Sequence, residues 1–313
     1  MSHYLFCTFT KKQTTVSLLT KAQDKFFKAV FSRKEIVTEL FQKTLSDEVL
    51  PLLNLDGLEL VSGSFVDGKL KEHFADLVYR CHLTDKGEVQ IVLLLEHKSY
   101  QEAFPHFQLL QYFLGLWNQH VKQQEKPVFI IPIVFYHGKT TWHYQRMQDY
   151  FSDIPTPLLR YLPMFDYDLI DLSAMKDHQI EDFKNGFLAV STFLLKHRHQ
   201  QNYIKVLENQ FVSLMKRVEI QEDEELMESI LMYIQNTNDL QVEELLFIFD
   251  KISNETKLKA MSTYERVIDE TNYEAIKNLL KEGLVTDVER LRAVFKLSKK
   301  KMEAFLKRIE SEK

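Results

Sequence analysis

The stretch from Phe74 to Ser99 constrains the fold more than any other part of the chain. Two runs of strand-forming residues, Phe74 to Thr84 and Glu88 to Ser99, flank Asp85-Lys86-Gly87. Short β-rich runs on either side of a Gly-containing turn signal an antiparallel hairpin. If Asp85, Lys86 and Gly87 form a three-residue loop, Thr84 faces Glu88 and paired residue numbers sum to 172. Asp76 then stands opposite Glu96, with Cβ atoms roughly 4.5–5.5 Å apart. Lys98, two residues on, projects from the same face. A two-residue loop would shift the register and send Glu96 to the other face. Two carboxylates this close repel unless one is protonated or a cation lies between them. A divalent metal on carboxylate oxygens, with Lys98 beside it, answers that repulsion economically. Glu96 follows Ile-Val-Leu-Leu-Leu, so it ends a strand that reads as buried, where a carboxylate needs a partner. The acids with Glu-x-Lys point to metal-dependent phosphodiester chemistry.

Other site types find little support. Cys7 and Cys81 are the only cysteines, which excludes a disulfide framework or an all-cysteine zinc site and fits a reducing cytoplasmic compartment. No apolar run reaches the ~18 residues of a membrane span, and none reads as a signal-peptide core. A formal charge of −5 means that any nucleic-acid contact uses a local patch. A phosphate-cradling Gly-rich loop and a serine nucleophile elbow are both missing.

Around the hairpin, helical and strand patterns alternate. Asp24 reads as the N-cap of a helix carrying Phe27, Val30 and Phe31, or alternatively as a third site acid. A second helix carries Ile36, Val37, Leu40 and Phe41. Leu58 to Val66 reads as a strand. After Ser99 the period becomes helical: Pro105 suits a first turn, and Phe107, Leu110, Leu114 and Trp117 form the expected apolar stripe. Gln108 and Gln111 lie off that stripe, either solvated or aimed at the acids. Val128 to Tyr136 is a nearly unbroken apolar run, read as a strand buried on both faces. Leu162 to Leu172 reads as another strand, with Asp166, Asp168 and Asp171 at the surface. His97 is expected to point away from Lys98 as a core or rim histidine, although its carbonyl could ligate a hard cation. His137 and Trp142 flank a strand exit.

This alternation predicts a mixed α/β core. From Asp177 the pattern is helical. Residues 221–250 hold nine acids and no base, and residues 290–313 hold nine Lys or Arg and three acids. Two short helices around Ser298 are expected there, with Lys299, Lys300 and Lys301 either contacting phosphates or simply solvated. The chain thus divides into an extension (1–20), an α/β domain (21–175), a helical region (176–270) and a small basic helical element (271–313).

Five motifs in order carry a resemblance: Asp24-Lys-Phe-Phe-Lys-Ala-Val-Phe-Ser, Gly63-Ser-Phe-Val, Ala75-Asp-Leu-Val-Tyr, Leu94-Leu-Glu-His-Lys-Ser and Ile131-Pro-Ile-Val-Phe-Tyr-His-Gly-Lys. Over residues 22–250 the chain resembles the Rpn family of recombination-promoting nucleases, also known as YhgA-like transposases. The resemblance implies a PD-(D/E)XK, restriction-endonuclease-like fold: a central mixed β-sheet flanked by helices, here followed by an all-helical C-terminal region. It implies a divalent-metal-dependent DNA endonuclease linked to recombination, mobile elements or defence. The alternative is a catalytically inactive DNA-binding or regulatory module of the same fold. By position, Asp76 and Glu96 match the motif acids and Lys98 the final motif position. Asp76, Glu96 and the His97 carbonyl would hold Mg²⁺ or Mn²⁺, with Asp24, Gln108 and Gln111 in support. Superfamily nucleases often pair to cut both strands, which implies a homodimer. Two departures stand out. Gln23 occupies the place where family members commonly carry His before Asp, and Lys98 stands where many carry Gln.

Overall fold

The computed structural model describes residues 23–61, 77–85, 90–238 and 240–312. Residues 23–31 form helix α1. Asp24 therefore lies inside the helix rather than capping it, because Gln23 is already helical. Phe27, Val30 and Phe31 are fully buried on its inner face. Helix α2 (Lys34–Thr44) buries the four residues expected of it, Ile36, Val37, Leu40 and Phe41.

Five strands follow in one sheet: β1 (Leu53–Leu60), β2 (Leu77–Leu83), β3 (Gln90–Lys98), β4 (Phe129–Tyr136) and β5 (Asp168–Asp171), in spatial order 1-2-3-4-5. β1–β2 and β2–β3 are antiparallel, and β3–β4 and β4–β5 are parallel. Leu77 pairs with Leu95 and His82 with Gln90, so paired numbers sum to 172, as a three-residue loop requires. Most of that loop lies outside the described residues, as does Asp76.

Two strands differ from expectation. β1 begins at Leu53 instead of Leu58. Leu53 and Leu55 alternate inward, then the register slips between Asn54 and Glu59, so Leu58 is the next buried residue. Three extra residues on β1 across that slip hide the alternation from a simple period-two reading. β5 is four residues long, not the eleven of Leu162–Leu172. Pro163 offers no N–H to a ladder, and the chain pairs with β4 only from Asp168.

The parallel β3–β4 pair requires a crossover, supplied by helix α3 (Pro105–Lys122). Its buried face is Leu109, Tyr112, Phe113 and Leu116, which pack with Ile130, Val134, Tyr136, Trp142 and Tyr167. The expected stripe is wrong by a fraction of a turn, and Phe107 and Leu114 face solvent. Both stripes are apolar, so periodicity alone does not choose between them. Glu96 and Lys98 of β3, and Ile130, Val134 and Tyr136 of β4, face α3. On the opposite face, Phe135 packs with Phe27 and Phe31 of α1.

A helical series completes this unit: α4 (Asp177–Glu181), α5 (Gly186–His197), α6 (Tyr203–Val206), α7 (Glu208–Ile220), α8 (Glu224–Thr237) and α9 (Val242–Asp250). The N-terminus of α5 is tied by distant side chains as well as by its own cap. The Glu39 carboxylate accepts from the Lys184 and Asn185 amides, and Gln221 Oε1 accepts from the Gly186 amide at 3.0 Å and the Phe187 amide at 3.3 Å. The chain forms two compact units, with the boundary between Ile248 and Phe249. The second holds α10 (Asn254–Lys281), α11 (Val288–Val294) and α12 (Lys299–Ser311) around Tyr273, Ile276, Leu291, Leu297, Met302 and Phe305. Ser298 caps α12, as its position suggested, by accepting from the Lys301 amide. A mixed sheet flanked by helices, with helices alone thereafter, is the restriction-endonuclease-like arrangement expected from the resemblance.

Gly186 marks a close helix contact. A Cβ there would meet the backbone of Arg217 and Val218 at 2.8–2.9 Å, whereas at Gly57 the nearest atoms lie at 3.6 Å. Gly186→Ala is expected to lower unfolding free energy by about 1–3 kcal/mol, as overpacking against backbone does. Gly57→Ala should change it by much less. Urea titrations of the two variants check this, and equal midpoints would contradict it.

Candidate active site

Glu96 and Lys98 lie two residues apart on β3, so both project toward α3. They are only 3% and 5% exposed. Lys98 Nζ sits 2.8 Å from Glu96 Oε1. Gln108, on the first turns of α3, joins the pair: its Nε2 donates to Glu96 Oε1 at 2.7 Å and to the Tyr112 hydroxyl at 2.6 Å, and its Oε1 accepts from Lys98 Nζ. Gln108 and Tyr112 are one helical turn apart and therefore share a face. Gln108 thus reaches the acid, while Gln111 is exposed. Tyr112 was not singled out from the sequence, although its i+4 spacing from Gln108 was available there.

The arrangement is asymmetric. Glu96 Oε1 receives both donors, whereas Oε2 is buried and has no hydrogen-bond partner among the described residues. A buried carboxylate oxygen without a partner costs free energy, and it is a suitable ligand atom for a hard cation. Glu96 therefore fits a divalent metal as one ligand. Among the described residues, no group of three or more His, Cys, Asp or Glu could hold a metal. The second acid expected here, Asp76, lies outside the described residues. It directly precedes Leu77, whose partner Leu95 directly precedes Glu96.

His97 points to the opposite face, as alternation predicts. Its ring stacks on Phe27 at 4.3 Å and on His137 at 4.5 Å. Its Nε2 lies 2.5 Å from His137 Nε2, and its Nδ1 lies 3.6 Å from Asp24 Oδ1. Asp24 thus meets His97 rather than the Glu96–Lys98 pair, and Gln23 is buried beside it in α1. The dyad arises from the parallel ladder. His97 pairs with Phe135, and the His137 amide donates to the Lys98 carbonyl as β4 ends. Burial is the main cause that pushes both imidazoles below their ordinary value, opposed at His97 by Asp24 and reinforced at His137 by His97, Arg198 and His199.

Other candidates have structural surroundings. Asp171 accepts from the Trp142 and Ser173 amides at 2.9 and 2.8 Å, and Trp142 Nε1 donates to the Tyr167 hydroxyl. Asp168 and Asp171 are half-buried instead of lying at the surface, and burial raises the Asp168 pKa. Burial also pushes the Cys81 thiol up to about 11, so it stays protonated. In the second unit Lys299 and Lys300 are exposed, and Lys301 pairs with Asp269. No helix among the described residues is long and apolar enough to cross a membrane.

Residues 21–227 match the family described as "Putative transposase, YhgA-like". The chain belongs to this family. Among its curated relatives, Recombination-promoting nuclease RpnD of Escherichia coli O157:H7 is 26% identical over 61% of this chain and 74% of its own length. Recombination-promoting nuclease RpnC of Escherichia coli K12 is 27% identical over 63% of this chain and 64% of its own. A third relative from the K12 strain, Inactive recombination-promoting nuclease-like protein RpnE, is 24% identical over 62% and 64%. The chain therefore spans just under two thirds of the length of two of these relatives and about three quarters of the third. No solved structure matches.

The histidine dyad gives this family member a pH dependence of definite sign. Both folded-state imidazoles titrate below 6.5, so the unfolded chain takes up protons first on acidification. Stability is full above pH 6.5 and falls as pH drops from 6.5 toward the lowered folded-state values. The loss approaches about 1.4 kcal/mol per pH unit for each histidine. Urea midpoints should fall between pH 7.5 and 5.5, and less steeply in His137→Asn. An unchanged slope in the variant would contradict the assignment.

Proposed function

We propose that the chain is a divalent-metal-dependent endodeoxyribonuclease acting in recombination, mobile-element or defence processes in the cytoplasm. The observation that carries this reading is the buried Glu96–Lys98–Gln108 cluster, with Glu96 Oε2 unpartnered among the described residues. Family membership and relatives named as recombination-promoting nucleases support it.

In this reading Asp76, Glu96 and the His97 carbonyl would hold Mg²⁺ or Mn²⁺. When bound, the ion lowers the pKa of a coordinated water and polarises the scissile phosphate. Gln108 and Lys98 fix Glu96 through Oε1, so its Oε2 would already be oriented as a ligand. The Lys98 ammonium orients the attacking water and offsets the charge that builds on the phosphate. Tyr112 sets the rotamer of Gln108 and so acts through it. Two such chains would place one site on each DNA strand, which is the role of the proposed homodimer.

The alternative is a module that keeps the fold and binds DNA without cutting it. The relative named inactive and the Gln23 departure favour it. Supercoiled plasmid with Mg²⁺ or Mn²⁺ separates the two. The nuclease reading expects nicked or linear product that EDTA abolishes. Asp76→Ala and Glu96→Gln should lose nearly all cleavage, and Gln108→Leu about 10- to 100-fold, as loss of a ligand's supporting hydrogen bond does. Wild-type cleavage by Asp76→Ala or Glu96→Gln would sink this site. DNA binding without cleavage would leave the alternative.

A further inference from the structure

The segment joining β3 to α3 carries aromatic rings that the fold does not bury. Tyr100 is 61% exposed, Phe104 48% and Phe107 42%. Single exposed apolar side chains are ordinary, but Phe104 and Phe107 are arranged. Phe104 and Phe107 stack at 5.4 Å with planes 18° apart. Tyr150 meets both edge-on, at 5.2 and 5.6 Å. Tyr150 is itself anchored, since its hydroxyl lies 2.6 Å from Nδ1 of the fully buried His106. The platform is thus backed by a hydrogen bond to a buried histidine.

Its position ties it to the candidate active site. Lys98 Nζ lies 5.8 Å from the Tyr100 ring centroid, within cation–π range. Phe104 is the N-cap of α3, one turn before Gln108, which holds Glu96. The charge around the rings bears on what they bind. The two acids in these segments, Glu102 and Asp149, turn to the backbone amides of Ala103 and Arg146. Lys98 supplies a cation beside the Tyr100 ring. Such a surface suits the π-faces of bases better than the charged backbone of a duplex.

We infer that Tyr100, Phe104 and Phe107 form a stacking platform for unpaired bases of a DNA strand whose phosphate lies at Glu96 and Lys98. The inference rests on the nuclease reading and gives it a substrate class: single-stranded or locally opened DNA. Bases stacked inside a duplex do not present their faces, so the platform discriminates by strand opening rather than by sequence. The exposed line continues along α3 through Gln111 and Leu114, which gives a strand leaving the platform a surface to follow.

Fluorescence anisotropy in EDTA tests this without cleavage. The probes are a labelled thymidine 12-mer, an abasic strand of the same length and charge, and the corresponding duplex. The proteins are wild type, Tyr100→Leu, the Phe104→Leu/Phe107→Leu pair, and Phe129→Leu as an exposed control at the far end of β4. Wild type should bind the thymidine strand at least about tenfold more tightly than the abasic one. The double variant should lose roughly 5- to 150-fold on the thymidine strand, the range of one lost stacking contact, and little on the abasic strand. Tyr100→Leu should act in the same direction, and the control should match wild type. Equal wild-type affinity for the two strands overturns the inference, as does a variant that weakens both equally. A double variant that dissociates a wild-type dimer in light scattering also overturns it, because a second copy then covers the face. Metal-dependent plasmid cleavage without base discrimination defeats this inference alone, whereas absence of any metal-dependent plasmid cleavage defeats the nuclease reading with it.

Discussion

A carboxylate buried at the end of a central strand is the constraint on which the rest of this site depends. Glu96 cannot remain charged in a protein interior without partners. The fold supplies two of them by different routes. Strand alternation brings Lys98 to the same face, and the crossover helix lays Gln108 over both. An ion pair this buried is seldom a net gain in stability over an apolar substitute. Its retention at a strand end is better understood through what it holds ready, which is one carboxylate oxygen with its orientation fixed and its coordination incomplete.

The same strand serves its two faces differently. Toward α3 lie Glu96, Lys98 and the aromatic core of Tyr112, Tyr136 and Trp142. Toward α1 lies His97, held between Phe27 and His137 with Asp24 beyond. Three consecutive residues therefore join a polar site to a stacked histidine pair through one stretch of backbone. Parallel pairing with β4 fixes that stretch, since Glu96, His97 and Lys98 each have a ladder partner.

Much of this was legible in the sequence. The hairpin register followed from one Gly-containing turn between two β-rich runs. The pointing of His97 followed from alternation, and the buried strand from Val128 to Tyr136 from its unbroken apolar run. What was not legible has physical causes. Helix α3 is apolar on two adjoining stripes, so the choice of Leu109, Tyr112, Phe113 and Leu116 over Phe107 and Leu114 depends on the sheet beneath. The bulge in β1 breaks alternation where a reader relies on it. The His97–His137 contact depends on which strands lie side by side, and a single sequence does not encode that locally.

The tying of α5 has a consequence for how the chain acquires its fold. Glu39 reaches across 145 residues to the Lys184 amide, and Gln221 reaches back 35 residues to Gly186. Ties made over such separations close large loops of chain before they return any stabilisation. The start of α5 is therefore completed only after α2 and the end of α7 have both arrived. On the ribosome, the sheet and its flanking helices would wait for synthesis to pass Gln221 before that helix end is satisfied. The unit ending at Ile248 should accordingly mature as one late cooperative step rather than strand by strand.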